Sequence, residues 1–517
     1  MGIYLNPGNE SFRKAVKREI YVDKSLLIKK VWNDSNNINN YICISRPRRF
    51  GKSTDANMLT AYFSKGCDSH ALFDDLKISQ WEDYEKHLNR HNVIHINMQD
   101  FLSHTHDVDK MIQELNRRLI RDLKREYQDC CDEMDLSSVL EEICAYENQT
   151  FIFIIDEWDC IFREYKEDKE AQKKYLDYLR LLLKDKSYVE LAYMTGILPI
   201  KKYGTHSALN MFDEISMLDA KGYSEFMGFT ETEVEGLCAK YGVDYAMMKE
   251  WYDGYQMRDG ISTYSPRSVT ASISNRDFSN YWSQTETYEA LKVYIDLNYD
   301  GLKDTIIRLI AGENAAIDIL SFQNDMSTFL SKDDVLTLLI HLGYLGYRSD
   351  SKEVYIPNNE VKDIFVISIK SSNWNYITKV FKNSYDLLEA TWNMQEERVA
   401  DYIENSHYET SILQYNDENA LAYTVNLAYI TAKEYYTIVR ELPSGKGFAD
   451  IVFIPKKEKP AMVVELKYDK DADTGIRQIK EKKYYLGLEK YLDNLLLVSI
   501  NYDKDTKEHT CVIEKLQ

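Results

Sequence analysis

The first part of the chain alternates short apolar runs with amphipathic stretches. Four runs rich in apolar residues predict strands buried on both faces of a sheet, and they cover residues 41–45, 93–98, 151–155 and 190–195. Stretches such as 108–127 and 171–184 repeat apolar residues every three to four positions, which predicts helices. Strands separated by helices indicate an α/β fold with a parallel sheet and helices on both faces.

The pattern changes after about residue 223. Helical periodicity dominates as far as about residue 408, and the clearest strands there form a predicted hairpin of 346–348 with 353–356. From residue 409 the pattern is helix, strand, strand, helix, strand, strand. We therefore predict three domains, at 1–223, 224–408 and 409–517. The predicted helices of the middle domain cover 232–241, 290–297, 302–311, 332–342 and 375–392.

Composition narrows the class of protein. The 517 residues are 44% hydrophobic and include only 8 prolines and 20 glycines, which is typical of a globular chain. The net charge of −20 argues against a surface that binds nucleic acid all over, but it leaves room for a local basic cleft. The 8 cysteines include no Cys-x-x-Cys pair, so we expect reduced thiols. Without a signal pattern or a membrane-length apolar run, we expect a cytoplasmic protein with no membrane partner.

The first predicted strand leads into a candidate phosphate-binding loop. The loop reads Arg46-Pro47-Arg48-Arg49-Phe50-Gly51-Lys52-Ser53-Thr54, and a helical pattern follows it. A glycine and the free N–H groups at a helix start cradle phosphate oxygens. Lys52 would reach the β- and γ-phosphates of ATP, and the Ser53 hydroxyl would bind Mg²⁺. The predicted nucleotide-binding residues are Arg48, Arg49, Phe50, Gly51, Lys52, Ser53, Thr54 and Asp156.

This loop departs from the full pattern, because Arg46 stands where a glycine is expected. The alternative interpretation is an ordinary strand–turn–helix with a solvated basic loop. Arg46, Arg48, Arg49 and Arg163 are candidates for stabilising transition-state charge, and the sequence does not choose among them.

An acidic pair follows the third apolar run. Asp156 and Glu157 would emerge at the carboxyl end of a buried strand, where ligands bind in open α/β sheets. Asp156 would hold Mg²⁺ and Glu157 would orient or deprotonate the attacking water. A solvated acidic turn is the alternative. Thr195 ends another strand, and it would either sense the γ-phosphate or cap the next turn; Asp159 is expected to be structural.

A second group of charged residues lies in a predicted hairpin near the C-terminus. If this hairpin is symmetric about residues 457 and 458, Asp450 lies opposite Glu465, with Cβ atoms about 4.5–5.5 Å apart. Lys467 shares a face with Glu465. Facing carboxylates favour a cation between them, and oxygen ligands suit Mg²⁺ or Mn²⁺. The metal would activate water for phosphodiester cleavage, with Lys467 positioning the water or the transition state. The alternative is an edge hairpin with a solvent-facing ion pair.

Residues on both sides of the hairpin extend this candidate site. The stretch 475–485 is predicted to be helical, with Gln478, Lys482 and Tyr485 on one face. Its basic residues would either contact a nucleic-acid backbone or form a solvated face. Glu418, at the start of a predicted helix over 419–433, is a possible third carboxylate.

These motifs resemble those of bacterial AAA-ATPase-like proteins that carry a C-terminal domain of the PD-(D/E)XK nuclease superfamily. The resemblance rests on 21–25, the loop 45–53, Asp156-Glu157 and the C-terminal motif. That motif reads Gly445-x-Gly447-x-x-Asp450, then Glu465-x-Lys467 and Gln478. In that family the Arg-Pro-Arg-Arg-Phe-Gly-Lys-Ser form of the loop is usual.

The resemblance implies a P-loop NTPase domain, a mostly helical middle or lid domain, and a restriction-endonuclease-like α/β domain. It also implies that Asp450 and Glu465 are metal ligands, Lys467 is the catalytic lysine and Gln478 supports the site. The expected function is an ATPase whose nucleotide state controls a metal-dependent nuclease acting on DNA. One alternative is a nucleotide-dependent switch whose C-terminal domain binds nucleic acid or protein without cleaving it. A second is a binding module for other partners, which the net charge favours; the sequence does not indicate an oligomeric state.

Overall fold

The computed structural model divides the chain into two compact units, Met1–Phe365 and Val366–Gln517. The predicted boundaries after residues 223 and 408 are not tested by this division and stay predictions. The structure describes residues 2–128, 135–200, 209–282, 291, 293–294, 299–323, 329–371, 375–409, 421–422, 424–425, 428–429, 431–432, 435–444, 447–456, 458–486 and 488–516.

A five-stranded sheet forms the centre of the first unit. Its strands lie in the order β2-β3-β4-β1-β5, and all the neighbouring pairs are parallel. The predicted parallel sheet is confirmed, and β5 is an addition to it. The strands are β1 (Tyr41–Ser45), β2 (Asn92–Asn97), β3 (Phe151–Asp156), β4 (Val189–Gly196) and β5 (Asp213–Ile215).

Helices connect these strands. In the helix Val108–Glu126, the Asp107 side chain accepts the N–H of Lys110, and Met111, Leu115 and Leu119 are buried at a four-residue spacing. The N-cap at Asp107 specifies where the helix begins, and the row of buried apolar residues specifies which face packs against the core. The α-helices of this part are Glu10–Val16, Leu26–Asn37, Lys52–Phe63, His70–Phe73, Tyr84–His87, Met98–Thr105, Val108–Glu126, Leu136–Glu147, Cys160–Glu164 and Lys169–Leu183.

The rest of the first unit is mostly helical, as predicted. Two small antiparallel sheets accompany the helices, in the orders β6-β8-β7 and β10-β11-β9, and the predicted hairpin is the pair β10–β11. Most of the predicted helix 290–297 lies outside the described residues. The α-helices are Glu231–Tyr241, Tyr245–Tyr252, Pro266–Asn275, Leu302–Ala311 and Lys332–His341, and the helix Asn359–Ser371 begins in this unit. The strands are β6 (Phe229–Thr230), β7 (Tyr255–Gln256), β8 (Ser262–Tyr264), β9 (Ala315–Ala316), β10 (Gly346–Arg348) and β11 (Glu353–Tyr355).

The second unit is built on a mixed sheet in the order β12-β13-β14-β15-β16. The pair β14–β15 is parallel, and the other neighbours are antiparallel. The strand β12 is absent from the sequence-based prediction. The strands are β12 (Tyr436–Ser444), β13 (Gly447–Pro455), β14 (Ala461–Tyr468), β15 (Leu495–Tyr502) and β16 (His509–Lys515).

Helices pack on both sides of this second sheet. Val399 and Ile403 of the helix Glu396–Glu409 join one apolar cluster, while Ile476 and Ile479 of the helix Ala472–Lys482 join another. A further helix covers Asn375–Trp392. Glu418, Gly445 and seven of the fifteen residues of the predicted helix 419–433 lie outside the described residues.

Short 3-10 helices complete the fold at Lys77–Gln80, Ser224–Phe226, Tyr299–Gly301 and Glu489–Asn494. Among the residues that the structure describes, no helix combines the length and the apolar character needed to cross a membrane.

Candidate functional site

The loop after β1 closes around the side chain of Lys52. Gly51 adopts a left-handed φ of 89° immediately before the helix Lys52–Phe63, a conformation that favours glycine. The Lys52 ammonium donates to the carbonyls of Arg46 at 3.0 Å and Pro47 at 2.9 Å. Burial lowers the pKa of Lys52 to about 8, against the opposing effect of nearby carboxylates. The loop thus holds a cation where a phosphate chain would lie.

The acidic edge of the sheet faces this loop. Asp156 ends β3 and pairs in register with Asn97 on one side and Thr195 on the other. Its carboxylate is buried and accepts the N–H of Glu157 at 3.0 Å. Burial raises the pKa of Asp156, while Ser53 and Lys52 act in the opposite direction. The structure therefore brings Lys52, Ser53 and Asp156 together, and hydroxyl and carboxylate oxygens fit a Mg²⁺ ion.

Thr195 lies on the strand next to Asp156. It is fully buried, and its hydroxyl oxygen has no hydrogen-bond partner among the described residues. An unsatisfied buried hydroxyl costs about 1–3 kcal/mol. This position is compatible with the predicted γ-phosphate contact, which stays a prediction.

Glu157 is held by an ion pair. It adopts a left-handed φ of 54°, and its carboxylate accepts from the Arg163 guanidinium. Burial raises the pKa of Glu157, and the charges of Arg163 and Lys52 oppose this shift. Arg163 also lies 3.4 Å from Asp159. Asp159 is buried and accepts from the N–H groups of residues 197 and 198, so its role is structural.

The arginines of the loop have different environments. Arg46 is fully buried and donates to Asp55 at 2.5 Å and to the carbonyl of Phe226. Arg49 has a left-handed φ of 72° and donates to the Tyr281 carbonyl at 2.7 Å. Arg48 is exposed. Arg46 is therefore committed to internal contacts, which leaves Arg48, Arg49 and Arg163 as candidates for contacting phosphate.

Residues far along the chain also hold the loop by packing. A Cβ added to Gly343 would lie 2.7 Å from the Cβ of Pro47, so glycine permits a close approach there. The ring of Phe50 lies edge-on to Tyr255, with centroids 5.3 Å apart. Together with the contacts of Arg46 and Arg49, these interactions explain why the loop carries large side chains between β1 and Gly51.

A cavity of about 990 Å³ opens over the loop. The predicted residues Arg48, Arg49, Phe50, Gly51, Lys52, Ser53, Thr54 and Glu157 line it, as does Arg163. Sequence reasoning missed other lining residues, namely Arg18, Phe229, Arg267 and Thr270, while Tyr21 and Lys24 lie in the stretch 21–25 on which the resemblance rests. Arg267 follows Pro266 at the start of a helix, and a Ser-Pro helix start is the signal that could have marked it.

The second group of charged residues lies on β13 and β14. Ile451 pairs with Val464 in antiparallel register, so the next position along each strand places Asp450 opposite Glu465. The register predicted from the hairpin symmetry is confirmed. One Asp450 carboxylate oxygen accepts the N–H of Leu466 at 2.7 Å. This bond fixes the carboxylate beside the strand that carries Glu465.

Glu465 and Lys467 form a buried pair. Their side chains are 2% and 4% exposed, and the Lys467 ammonium donates to a Glu465 oxygen at 2.7 Å. The same ammonium donates to the Leu466 carbonyl at 3.0 Å. The Gln478 amide donates to the same Glu465 oxygen at 2.5 Å. A solvent-facing edge pair is therefore excluded, and the structure brings Asp450, Glu465, Lys467 and Gln478 together.

The helix that carries Gln478 ends earlier than predicted. It covers Ala472–Lys482, and Lys483 adopts a left-handed conformation, so the placement of Tyr485 on its face is wrong. The preceding residue, Tyr484, instead accepts a hydrogen bond from the Gln478 amide at 3.0 Å. Sequence reasoning missed Tyr484 because no glycine marks the end of this helix.

Comparisons with known proteins match the two regions separately. Residues 7–205 match the model of a family described as a predicted AAA-ATPase, and residues 416–511 match a model described as the PD-(D/E)XK nuclease superfamily. An uncharacterized protein in the vnfD 5′ region of Azotobacter chroococcum mcd 1 is 28% identical over 256 residues, or 47% of each chain. The matched stretch thus spans about half the length of this curated relative.

Solved structures show weaker likeness. The Walker-type ATPase PABY2304 of Pyrococcus abyssi covers 67% of this chain and 96% of its own, with 14% identity and a TM-score of 0.36. Cdc6p from Pyrobaculum aerophilum covers 69% of this chain and 98% of its own, with 10% identity and a TM-score of 0.27. The chain is thus similar to the predicted AAA-ATPase family in its N-terminal region and to the PD-(D/E)XK nuclease superfamily in its C-terminal region.

Proposed function

We propose that the protein binds and hydrolyses ATP with Mg²⁺, and that its nucleotide state controls a metal-dependent nuclease domain that cleaves DNA. The observation that carries the nuclease part is the buried pair of Glu465 and Lys467 on one strand, with the half-buried Asp450 on the neighbouring strand. The ATPase part rests on Lys52, Ser53 and Asp156, which converge at the edge of a parallel sheet.

In the ATPase site, the chain supplies charge and orientation. The Lys52 ammonium exchanges its two carbonyl partners for phosphate oxygens when ATP binds, and the phosphate charge favours its protonated form. Ser53 and Asp156 would hold Mg²⁺, which when bound neutralises phosphate charge. Glu157 orients the attacking water, and Arg163 holds the Glu157 carboxylate in place.

In the nuclease-like site, Asp450 and Glu465 would hold Mg²⁺ or Mn²⁺. Such an ion, when bound, supplies a Lewis acid and an activated water. One buried and one half-buried carboxylate next to one lysine are a donor set that favours an additional cation. Lys467 places positive charge beside the carboxylates, where it can contact the phosphate under attack. Gln478 keeps the Glu465 carboxylate from rotating.

A second candidate is a nucleotide-dependent switch whose C-terminal domain binds a partner without cleaving it. The net charge of −20 favours a partner other than nucleic acid, since a nucleic-acid surface is ordinarily basic. The complete Asp450, Glu465 and Lys467 set favours cleavage. Crystals soaked in Mn²⁺ would distinguish the two, because a pure binding domain requires no ion between Asp450 and Glu465.

Cleavage of supercoiled plasmid tests the proposal. The purified protein would be incubated with plasmid and Mg²⁺ or Mn²⁺, beside Asp450→Ala and Lys467→Ala. The variant Asp493→Ala, which removes an exposed carboxylate of the 3-10 helix Glu489–Asn494, is the matched control. We expect nicking or linearisation by the wild type and by the control, and its loss in the two site variants. Equal cleavage by all four proteins would show that the activity comes from elsewhere.

A further inference from the structure

Tyr484 lies behind the nuclease-like centre and is joined to it by a single amide group. The Gln478 amide nitrogen donates to Glu465 at 2.5 Å and to the Tyr484 hydroxyl at 3.0 Å. A primary amide has two N–H donors. The Gln478 amide can therefore donate one N–H to the Glu465 carboxylate and the other to the Tyr484 hydroxyl, and both acceptors determine its orientation. Tyr484 is 4% exposed, so water does not readily replace its hydroxyl.

A tight turn brings Tyr484 to this position. The N–H of Lys483 donates to the Lys480 carbonyl, and the N–H of Tyr484 donates to the Ile479 carbonyl. This pair of bonds is the Schellman pattern that ends many helices. Lys483 has a φ of 54°, and a non-glycine residue there costs about 1–2 kcal/mol. The surrounding contacts must offset this cost, and they hold Tyr484 beneath Gln478.

Two glycines close the space around this chain of hydrogen bonds. A Cβ added to Gly447 would lie 3.0 Å from the Tyr484 hydroxyl oxygen. A Cβ added to Gly475 would lie 2.0 Å from the Ser499 hydroxyl oxygen and 3.5 Å from the Cγ of Glu465. The backbone at Gly447 thus lies close to the Tyr484 end of these hydrogen bonds, and the backbone at Gly475 lies close to the Glu465 end. The Glu465 carboxylate has little freedom to move away from Gln478.

We propose that Tyr484 is a positioning residue of the nuclease-like centre, which acts through Gln478 to fix the carboxylate of Glu465 toward a divalent cation. This inference rests on the proposed function, because it takes Glu465 to be a metal ligand. Residues that orient a metal ligand typically change metal affinity by about 10–100-fold when they are substituted. Tyr484 is one hydrogen bond further from the metal ligand Glu465 than Gln478 is. Its substitution should therefore change metal affinity by the lower end of this range, about 10-fold.

Calorimetric titration of Mn²⁺ into the full chain without nucleotide tests this role. Asp450→Ala defines the binding that belongs to this centre. We expect Tyr484→Phe to weaken that binding by about 10-fold and Gln478→Ala by about 10–100-fold. The double variant should bind no more weakly than Gln478→Ala, because Tyr484 acts only through the amide. Tyr485→Phe is the matched control and should bind Mn²⁺ as the wild type does.

Gly447→Ala gives an independent test, because its Cβ would displace the Tyr484 hydroxyl without altering a carboxylate. It should weaken Mn²⁺ binding as Tyr484→Phe does, at an unchanged melting temperature. Wild-type affinity within twofold in both variants, or additive losses in the double variant, would overturn the role of Tyr484. Failure of Asp450→Ala to change Mn²⁺ binding would instead overturn the proposed metal site itself.

Discussion

Arg46→Gly would give the phosphate loop the glycine that the general pattern places five residues before Gly51. We predict that this substitution destabilises the protein instead of improving the loop. The Arg46 side chain is fully buried, and it joins Asp55 of the following helix to the carbonyl of Phe226. The substitution therefore removes a link between the loop and residues about 180 positions further along the chain.

The size of the effect follows from these contacts. Removing one partner of a buried ion pair costs about 3–5 kcal/mol, because the remaining charge stays buried. The side chain of Asp55 is only 8% exposed, so this range applies. The Phe226 carbonyl also loses its donor, which adds about 1–3 kcal/mol. Burial already raises the pKa of Asp55, so proton uptake by Asp55 would limit the total, and we expect about 4 kcal/mol.

Urea unfolding followed by tryptophan fluorescence would measure this loss. Arg48→Gly is the matched control, since Arg48 is exposed and its replacement should change the free energy of unfolding by about 0.5 kcal/mol or less. The double variant Arg46→Gly/Asp55→Asn should recover part of the loss, because it no longer buries a lone carboxylate. If the free energy of unfolding of Arg46→Gly lies within about 1 kcal/mol of the wild-type value, the reasoning is refuted, because breaking a buried ion pair should cost about 3–5 kcal/mol.

Three further predictions concern the nucleotide site and the second unit. Lys52→Ala should abolish binding of a fluorescent ATP analogue, and retained affinity would remove the phosphate-loop interpretation. Glu157→Gln should keep ATP binding and lower the hydrolysis rate by about 100-fold or more, which a phosphate-release assay measures; an unchanged rate would exclude Glu157 as the residue that activates water. Burial and the neighbouring His407 lower the pKa of His509 to about 3. The unfolded chain therefore takes up a proton below about pH 6.5 that the folded protein does not, and the free energy of unfolding should fall as the pH drops below that value. Between pH 8 and pH 5 the fall should be about 2 kcal/mol in urea titrations, and an equally steep fall in His509→Asn would assign it to other groups.

Much of the fold follows from the apolar pattern. The run Phe151–Asp156 is continuous and short, so it predicts a central strand and the position of the acid at its end. The pairing of Asp450 with Glu465 also follows from sequence, because Pro455 and Pro460 bound the loop of the hairpin and fix its symmetry. The confirmed register shows that local turn chemistry can specify which side chains face each other.

The features that were missed depend on contacts between distant residues. The sequence does not show that Arg46 has a partner at Phe226, so its replacement of a glycine first suggests a defective loop. The end of the Gln478 helix is hidden for another reason, because Lys483 is left-handed without being glycine. Tertiary packing holds that conformation, and the helical period alone extends the helix to Tyr485. The strand β12 has no apolar run as continuous as that of β3.

The rate of plasmid cleavage with and without ATP tests the central claim most directly. It would be measured with Mg²⁺ for the wild type and for Lys52→Ala, which lacks the Lys52 ammonium but keeps Asp450, Glu465 and Lys467. If nucleotide state controls the nuclease domain, ATP should change the wild-type rate by about 5-fold or more, as a coupling free energy of at least 1 kcal/mol requires, and should leave the Lys52→Ala rate unchanged. The same rate with and without ATP in the wild type would contradict the account.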